Sequence, residues 1–208
     1  MSEATIEAWM ALTGAEHARP AGEDLLARYA EPHRRYHTLK HLDEVLAIVA
    51  ELSAEAQDAD AVRLAAWFHD AIYTIGSSSG VSNEEASARL AEQVLGELGI
   101  PAARTAETAR LVRLTQAHKS EPGDRNAAVL CDADLAILGA SPERYRQYAL
   151  EVRQEYAEIP DEAFRRGRAE ILRSLLEEPT LFRTAAARER YEEPARKNLT
   201  AEIDALTS

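Results

Sequence analysis

Along most of this chain, apolar residues recur three and four positions apart, the spacing that gives a helix one apolar face. Leu42, Val45, Leu46 and Val49 form one such stripe and predict a helix from about 39 to 52. Val62, Ala65, Ala66 and Phe68 form another, over about 58–72. The same reading gives helices near 3–12, 22–30, 82–98, 102–118, 125–138, 142–157, 161–177 and 185–206. The breaks fall at turn formers: "EPH" after residue 30, "GIP" after Leu98, Pro122–Gly123, Gly139 with Pro142, Pro160 and Pro179. "GSSSG" over 76–80 reads as a flexible loop, and Ser82 followed by Glu85 has the spacing of a capping box.

β-branched runs are short, and neither an internal repeat nor a dividing linker stands out. The expected fold class is therefore all-α: one irregular multi-helix domain over 1–208. Its motif-bearing core lies at about 30–140, and the helices of 141–208 pack on it. A symmetric four-helix bundle would need fewer and longer helices.

Two acids interrupt the apolar pattern. Asp70 follows Trp67 and Phe68 towards the end of an apolar helix, where the helix dipole disfavours an anion. Asp134 lies between Val129–Leu130 and Leu135–Ile137. A desolvated carboxylate costs several kcal/mol unless it is paired, and one shared cation would pair both. Histidines stand nearby. His69 adjoins Asp70, while His37 and His41 are four apart and would share a face on a helix. Asp132 is a second acid beside Asp134. Imidazoles and carboxylates are what a divalent cation takes where sulfur is absent, and Cys131 is the one cysteine. Each residue also has a plainer reading alone: a hydrogen-bonded histidine, an acid capping a turn, or Asp132 as a helix N-cap.

Charge narrows the partners. With 24 Lys and Arg against 36 Asp and Glu the net charge is −12, which repels the phosphates of duplex nucleic acid. A small phosphorylated ligand stays compatible, because "HRRYHTLKH" (33–41) is a basic island holding three of the six histidines. No apolar stretch approaches the roughly 20 residues that span a bilayer. "MSEATIEAWM" has neither the basic patch nor the apolar block of a signal peptide. A cytoplasmic location and no membrane partner are the expectation, and a homo-oligomer is compatible with the same composition.

His41, His69–Asp70 and Asp134, read together as "H…HD…D", resemble the motif of the HD superfamily of metal-dependent phosphohydrolases. "YHTLKHLDEV" (36–45) is similar to the first motif of cyclic-nucleotide phosphodiesterases, which share the HD fold. "EPHRRYHTLKH", "FHDAIY", "SNEEASA", "CDADLAILGAS" and "YEEPARKNL" also resemble a bacterial subgroup of HD-type phosphohydrolases. The resemblance runs from about residue 30 to 200. It implies the HD-domain fold and one divalent ion per chain (Mn, Fe, Ni, Zn, Co or Mg), held by His41, His69, Asp70 and Asp134. Asp134 is preferred to Asp132 because the family's last Asp commonly precedes Leu, or a basic residue and then Leu; Asp132 is the fallback. Many two-metal relatives carry further histidines between the HD pair and the last Asp, whereas this chain has only His118 there.

The implied activity is hydrolysis of a phosphomonoester or phosphodiester, in a small phosphorylated metabolite or a nucleotide, by metal-activated water. A bound cation lowers the pKa of its water from 15.7 towards about 7. His37 is the candidate general acid, since imidazole ordinarily titrates near pH ~6.5. Glu84, in the position where some relatives place the Glu of a His–Glu pair, is a candidate to orient water; otherwise it is a first-turn helix acid. Arg34, Arg35, Lys40 and Lys119 are candidates to neutralise phosphoryl oxygens, with His118 as a phosphate contact or second-metal ligand. Arg34 and Arg35 have the plainer alternative of solvating a loop. HD folds also host hydratases and di-iron oxygenases. The reading from another class is a non-catalytic metal- or nucleotide-binding regulatory module; a purely helical interaction protein would have no use for the buried acids.

Overall fold

The computed structural model describes residues 3–76 and 80–208. Ser77–Ser79, the middle of the expected "GSSSG" loop, lie outside the described residues. Among the described residues the regular structure is entirely helical, as the apolar spacing predicts. The chain divides into two compact units, Met1–Cys131 and Asp132–Ser208.

The first unit is built from α1 (Glu3–Thr13), α2 (Arg19–Tyr29), α3 (Leu39–Glu51), α4 (Ala59–Phe68), α5 (Asn83–Glu97), α6 (Ala102–Leu114) and the start of α7 (Arg125–Leu135). α4 is its central helix and packs against α1, α3, α5 and α6. That position explains its composition: every residue from Ala61 to Phe68 is buried except Arg63. Trp9 of α1 lies against Trp67 and Phe68, with ring centroids 5.1 and 6.0 Å away. Gly22 permits this packing, because a Cβ there would stand 2.5 Å from Trp9 Cδ1. Burying an aromatic of this kind contributes about 1.5–3 kcal/mol.

Several helix ends differ from the spacing-based expectation. α2 begins at Arg19 rather than near 22, because Pro20 occupies the first turn, where its missing N–H is not needed. α6 stops at Leu114 rather than 118. His118 then takes a left-handed backbone (φ 50°), and its N–H returns to the Leu114 carbonyl. The expected capping box at α5 is half formed. Ser82 Oγ accepts the Glu85 N–H, but the Glu85 carboxylate turns instead to Arg89 and Arg113.

The second unit takes over within α7, which runs into a 3-10 turn at Ala136–Gly139. α8 (Pro142–Glu155), α9 (Asp161–Glu177) and α10 (Ala185–Thr207) follow. α10 packs on α9 and on the 3-10 turn. Gly139 sits hard against α10: a Cβ there would meet Tyr191 Cβ at 2.6 Å and its backbone Cα and O at 2.8 Å. Asn198 donates to the Leu138 and Ala140 carbonyls, and Arg168 pairs with Glu202, which also accepts from Tyr145. Arg196 pairs with Glu192 and donates to the Leu176, Glu178 and Pro179 carbonyls.

Candidate metal centre

α3 begins after Thr38, whose backbone is extended, so His41 falls in the first turn. Its side chain is buried on the face of Leu42, Val45 and Val49. His37 is not on that helix, as the four-residue spacing suggested; it sits in the turn ahead of it. The two rings still approach, with centroids 5.7 Å apart, because Tyr36 packs on both (4.9 Å to His37, 4.7 Å to His41). His37 also stacks on Tyr73, at 4.2 Å.

The His–Asp pair likewise lies outside its helix, although the spacing predicts one running to about 72. α4 ends at Phe68, and His69 caps it through its N–H to the Ala65 carbonyl. The Asp70 N–H leaves the helical ladder and donates to Tyr29 Oη at 3.3 Å. The Ala66 carbonyl then takes a hydrogen bond from His69 Nδ1, at 2.8 Å. A carbonyl only accepts, so Nδ1 carries the proton and a neutral His69 presents its Nε2 lone pair to the site. A backbone carbonyl holding the far nitrogen is the usual way a metal-binding imidazole is oriented.

Three potential ligand atoms converge. His41 Nε2 and His69 Nε2 are 3.1 Å apart, and Asp70 Oδ2 lies 3.0 Å from His69 Nε2 and 3.5 Å from His41 Nε2. Ligands at about 2.0–2.1 Å from one ion are separated by roughly 3.0–3.4 Å, so the atoms are spaced as a shared cation requires. Both imidazoles are buried and the carboxylate is about four-fifths covered (18 % exposed). Burial pushes the Asp70 carboxyl up. With the imidazoles protonated, the charges of His69 and His37 and hydrogen bonds from His41 and His69 outweigh it, holding the carboxyl well below its ordinary range. A carboxylate beside two imidazole nitrogens is the charge and donor set for a divalent ion.

Asp132 is engaged elsewhere. It is fully buried within α7, not at a helix start, and its carboxylate accepts the N–H groups of Arg183 and Thr184 at 2.7–3.0 Å. Burial raises its pKa against the pull of those donors. Its fallback role as ligand and its reading as an N-cap both give way to this backbone contact. Asp134 lies in the last turn of α7 and is half-buried.

The expected phosphate contacts separate into two groups. Arg34 does not fit that role, because its side chain has no exposed surface and all its N–H groups are taken by Glu31 and by the carbonyls of His37, Asp70 and Ala71. Arg35 and Lys40 are exposed; Arg35 donates to the Pro32 and Arg34 carbonyls, and Lys40 directly precedes His41. His118 and exposed Lys119 lie in the turn after α6. Glu84 is half-buried in the first turn of α5 and makes no ion pair or hydrogen bond among the described residues.

An all-helical chain with two imidazoles and a carboxylate converging at a helix end is a candidate metalloprotein by its own geometry. The HD-domain family model matches residues 38–153, more than half of the chain, and the chain belongs to that family, whose members are generally metal-dependent hydrolases. The match includes His41, His69, Asp70 and Asp134. No curated protein and no solved structure matches the chain significantly. No described helix is long and apolar enough to cross a membrane.

Proposed function

We propose that this protein is a metal-dependent phosphohydrolase acting on a small phosphorylated metabolite or nucleotide. The observation that carries the reading is the convergence of His41 Nε2, His69 Nε2 and Asp70 Oδ2 within 3.5 Å of one another. These residues, with Asp134 as a further ligand, would hold one divalent ion. Support for Asp134 comes from its place in the family motif and from Asp132 being occupied. When bound, the ion supplies Lewis acidity towards a phosphoryl oxygen and lowers the pKa of water.

The chain's own residues do the rest. His69 keeps its lone pair directed inward through the Nδ1–H bond to Ala66. His37 is the group to protonate the leaving oxygen; it is half-buried, held against Tyr73, and close enough to Asp70 to act on its charge. Lys40 and Arg35 are the exposed cations nearest His41 and His37 in sequence, suited to neutralising phosphate oxygens. Glu84, His118 and Lys119 are further candidates around the substrate.

The test is a phosphate-release screen of the purified chain over nucleotides and sugar phosphates, with and without added Mn²⁺ or Mg²⁺. Metal-dependent release by the wild type, lost in Asp70→Ala, is the expected result. Tight metal binding without turnover on any of these substrates would favour the non-catalytic regulatory module instead.

A further inference from the structure

Arg34 is the one candidate phosphate contact that the fold buries completely, and the accounting of its donors says what it does. A guanidinium has five N–H groups. In Arg34 they make five bonds: Nε and Nη2 to Glu31 Oε2 (3.1 and 3.0 Å), Nη1 to the carbonyls of His37 (3.2 Å) and Asp70 (2.7 Å), and Nη2 to the carbonyl of Ala71 (3.1 Å). The guanidinium carbon also lies 5.3 Å from the centre of the Tyr29 ring and 5.5 Å from that of Tyr73. One planar cation thus ties the histidine-bearing loop to the turn that carries Asp70.

Tyr29 completes the hold from the other side. Its hydroxyl accepts the Asp70 N–H at 3.3 Å and donates to the Trp67 carbonyl at 3.2 Å. Both peptide groups flanking the Asp70 side chain are therefore fixed by named side chains: the N–H by Tyr29, the carbonyl by Arg34. α4 has ended, so no helical ladder holds these groups, and buried backbone polar groups need partners.

We propose that Arg34 and Tyr29 are positioning residues for the metal centre: they fix the Asp70 turn and the His37 loop relative to each other. Asp70 Oδ2 is thereby kept in register with the histidine nitrogens. This rests on the metal-binding reading above. It assigns to Arg34 a task that needs arginine in particular. Lysine has three donors on a single atom and no planar fork, so it cannot reach Glu31 and three carbonyls at once.

The experiment is Co²⁺ titration of the metal-free full-length chain, followed by its visible absorption, well below the melting temperature. Arg34→Lys is expected to weaken Co²⁺ binding about 10–100-fold, the range for residues that orient metal ligands, and to alter the Co²⁺ spectrum. Tyr29→Phe keeps the ring and removes both hydroxyl bonds; about tenfold weaker binding is expected with helical circular dichroism unchanged. Arg28→Ala breaks an exposed pair with Asp24 on the same helix and should bind as wild type. If Arg34→Lys does not fold, Tyr29→Phe decides alone. Folded variants that bind Co²⁺ with wild-type affinity and spectrum overturn the positioning role and leave the metal site standing. A wild type that binds no Co²⁺ overturns the metal reading itself, and this role with it.

Discussion

Asp70 and His37 sit close together yet are given different tasks, and variants can separate them. Asp70→Asn keeps the shape of the side chain but removes the negative charge from a site with two imidazole donors. The expected outcome is loss of bound metal by elemental analysis and loss of turnover together. His37→Gln removes a proton donor and no ligand, so metal content should stay at the wild-type level while turnover falls roughly 10²–10⁴-fold. Wild-type turnover in His37→Gln would end its assignment as the acid. At this scale the sequence was partly readable. His41, His69 and Asp70 stand out because polar side chains in apolar surroundings need a partner, and the fold brings them together. Arg34, just ahead of the histidine pair, reads from sequence as a substrate contact or a loop-solvating cation, and the fold buries it instead. Nothing local indicates that two of its acceptors are carbonyls 36 and 37 residues away.

Among the elements, apolar spacing found each α-helix and several of the ends, such as both ends of α9, but not the start of α2 or the ends of α4 and α6. Spacing reports which face is buried, whereas the last turn is decided by what pairs the backbone groups the helix releases. α4 stops at Phe68 because Tyr29 and Arg34 take the next polar groups, and no count along 58–72 contains that information. Glu85 makes the same point at a helix start, since Arg113 of α6 competes successfully for the carboxylate of the expected capping box. Hydrogen bonds from Arg113 and Arg89 lower the Glu85 pKa from 4.5 to about 2. A carboxyl depressed in the folded state stabilises above its unfolded pKa and loses that contribution as pH falls through the folded value. Melting temperature should therefore fall less steeply between pH 4.5 and about 2 in Glu85→Gln than in wild type. Parallel curves would mean that the α5–α6 pair adds nothing. Glycines at two helical positions give a second contrast. Gly139→Ala must push against Tyr191 backbone and should cost about 1–3 kcal/mol in urea unfolding. Gly96→Ala in α5 meets nothing within 4 Å and should stabilise by roughly 0.5–1 kcal/mol.

Over the whole molecule, the chain changes compact unit between Cys131 and Asp132, inside one continuous helix, and the two neighbouring acids Asp132 and Asp134 open the second unit. Sequence alone held both as candidate ligands, because "CDADL" offers them in the same apolar setting. What separates them lies 51 and 52 residues downstream, where the Arg183 and Thr184 N–H groups meet the Asp132 carboxylate ahead of α10. Asp132 therefore belongs to the stability of 132–208. Asp132→Asn sets an amide NH₂ against one of those N–H groups and should cost about 1–3 kcal/mol, read as a fall of several °C in the metal-free melting temperature. Asp134 is the proposed further ligand. Asp134→Asn is an isosteric change at a half-buried position and should lower the bound metal found by elemental analysis. It should also remove most of the stabilisation that added Mn²⁺ gives the wild type, because a ligand stabilises only in proportion to its affinity for the folded state. If Asp134→Asn instead melts low without metal and keeps the full Mn²⁺ shift, Asp134 is a structural acid. The ion would then be held by His41, His69 and Asp70 with water alone.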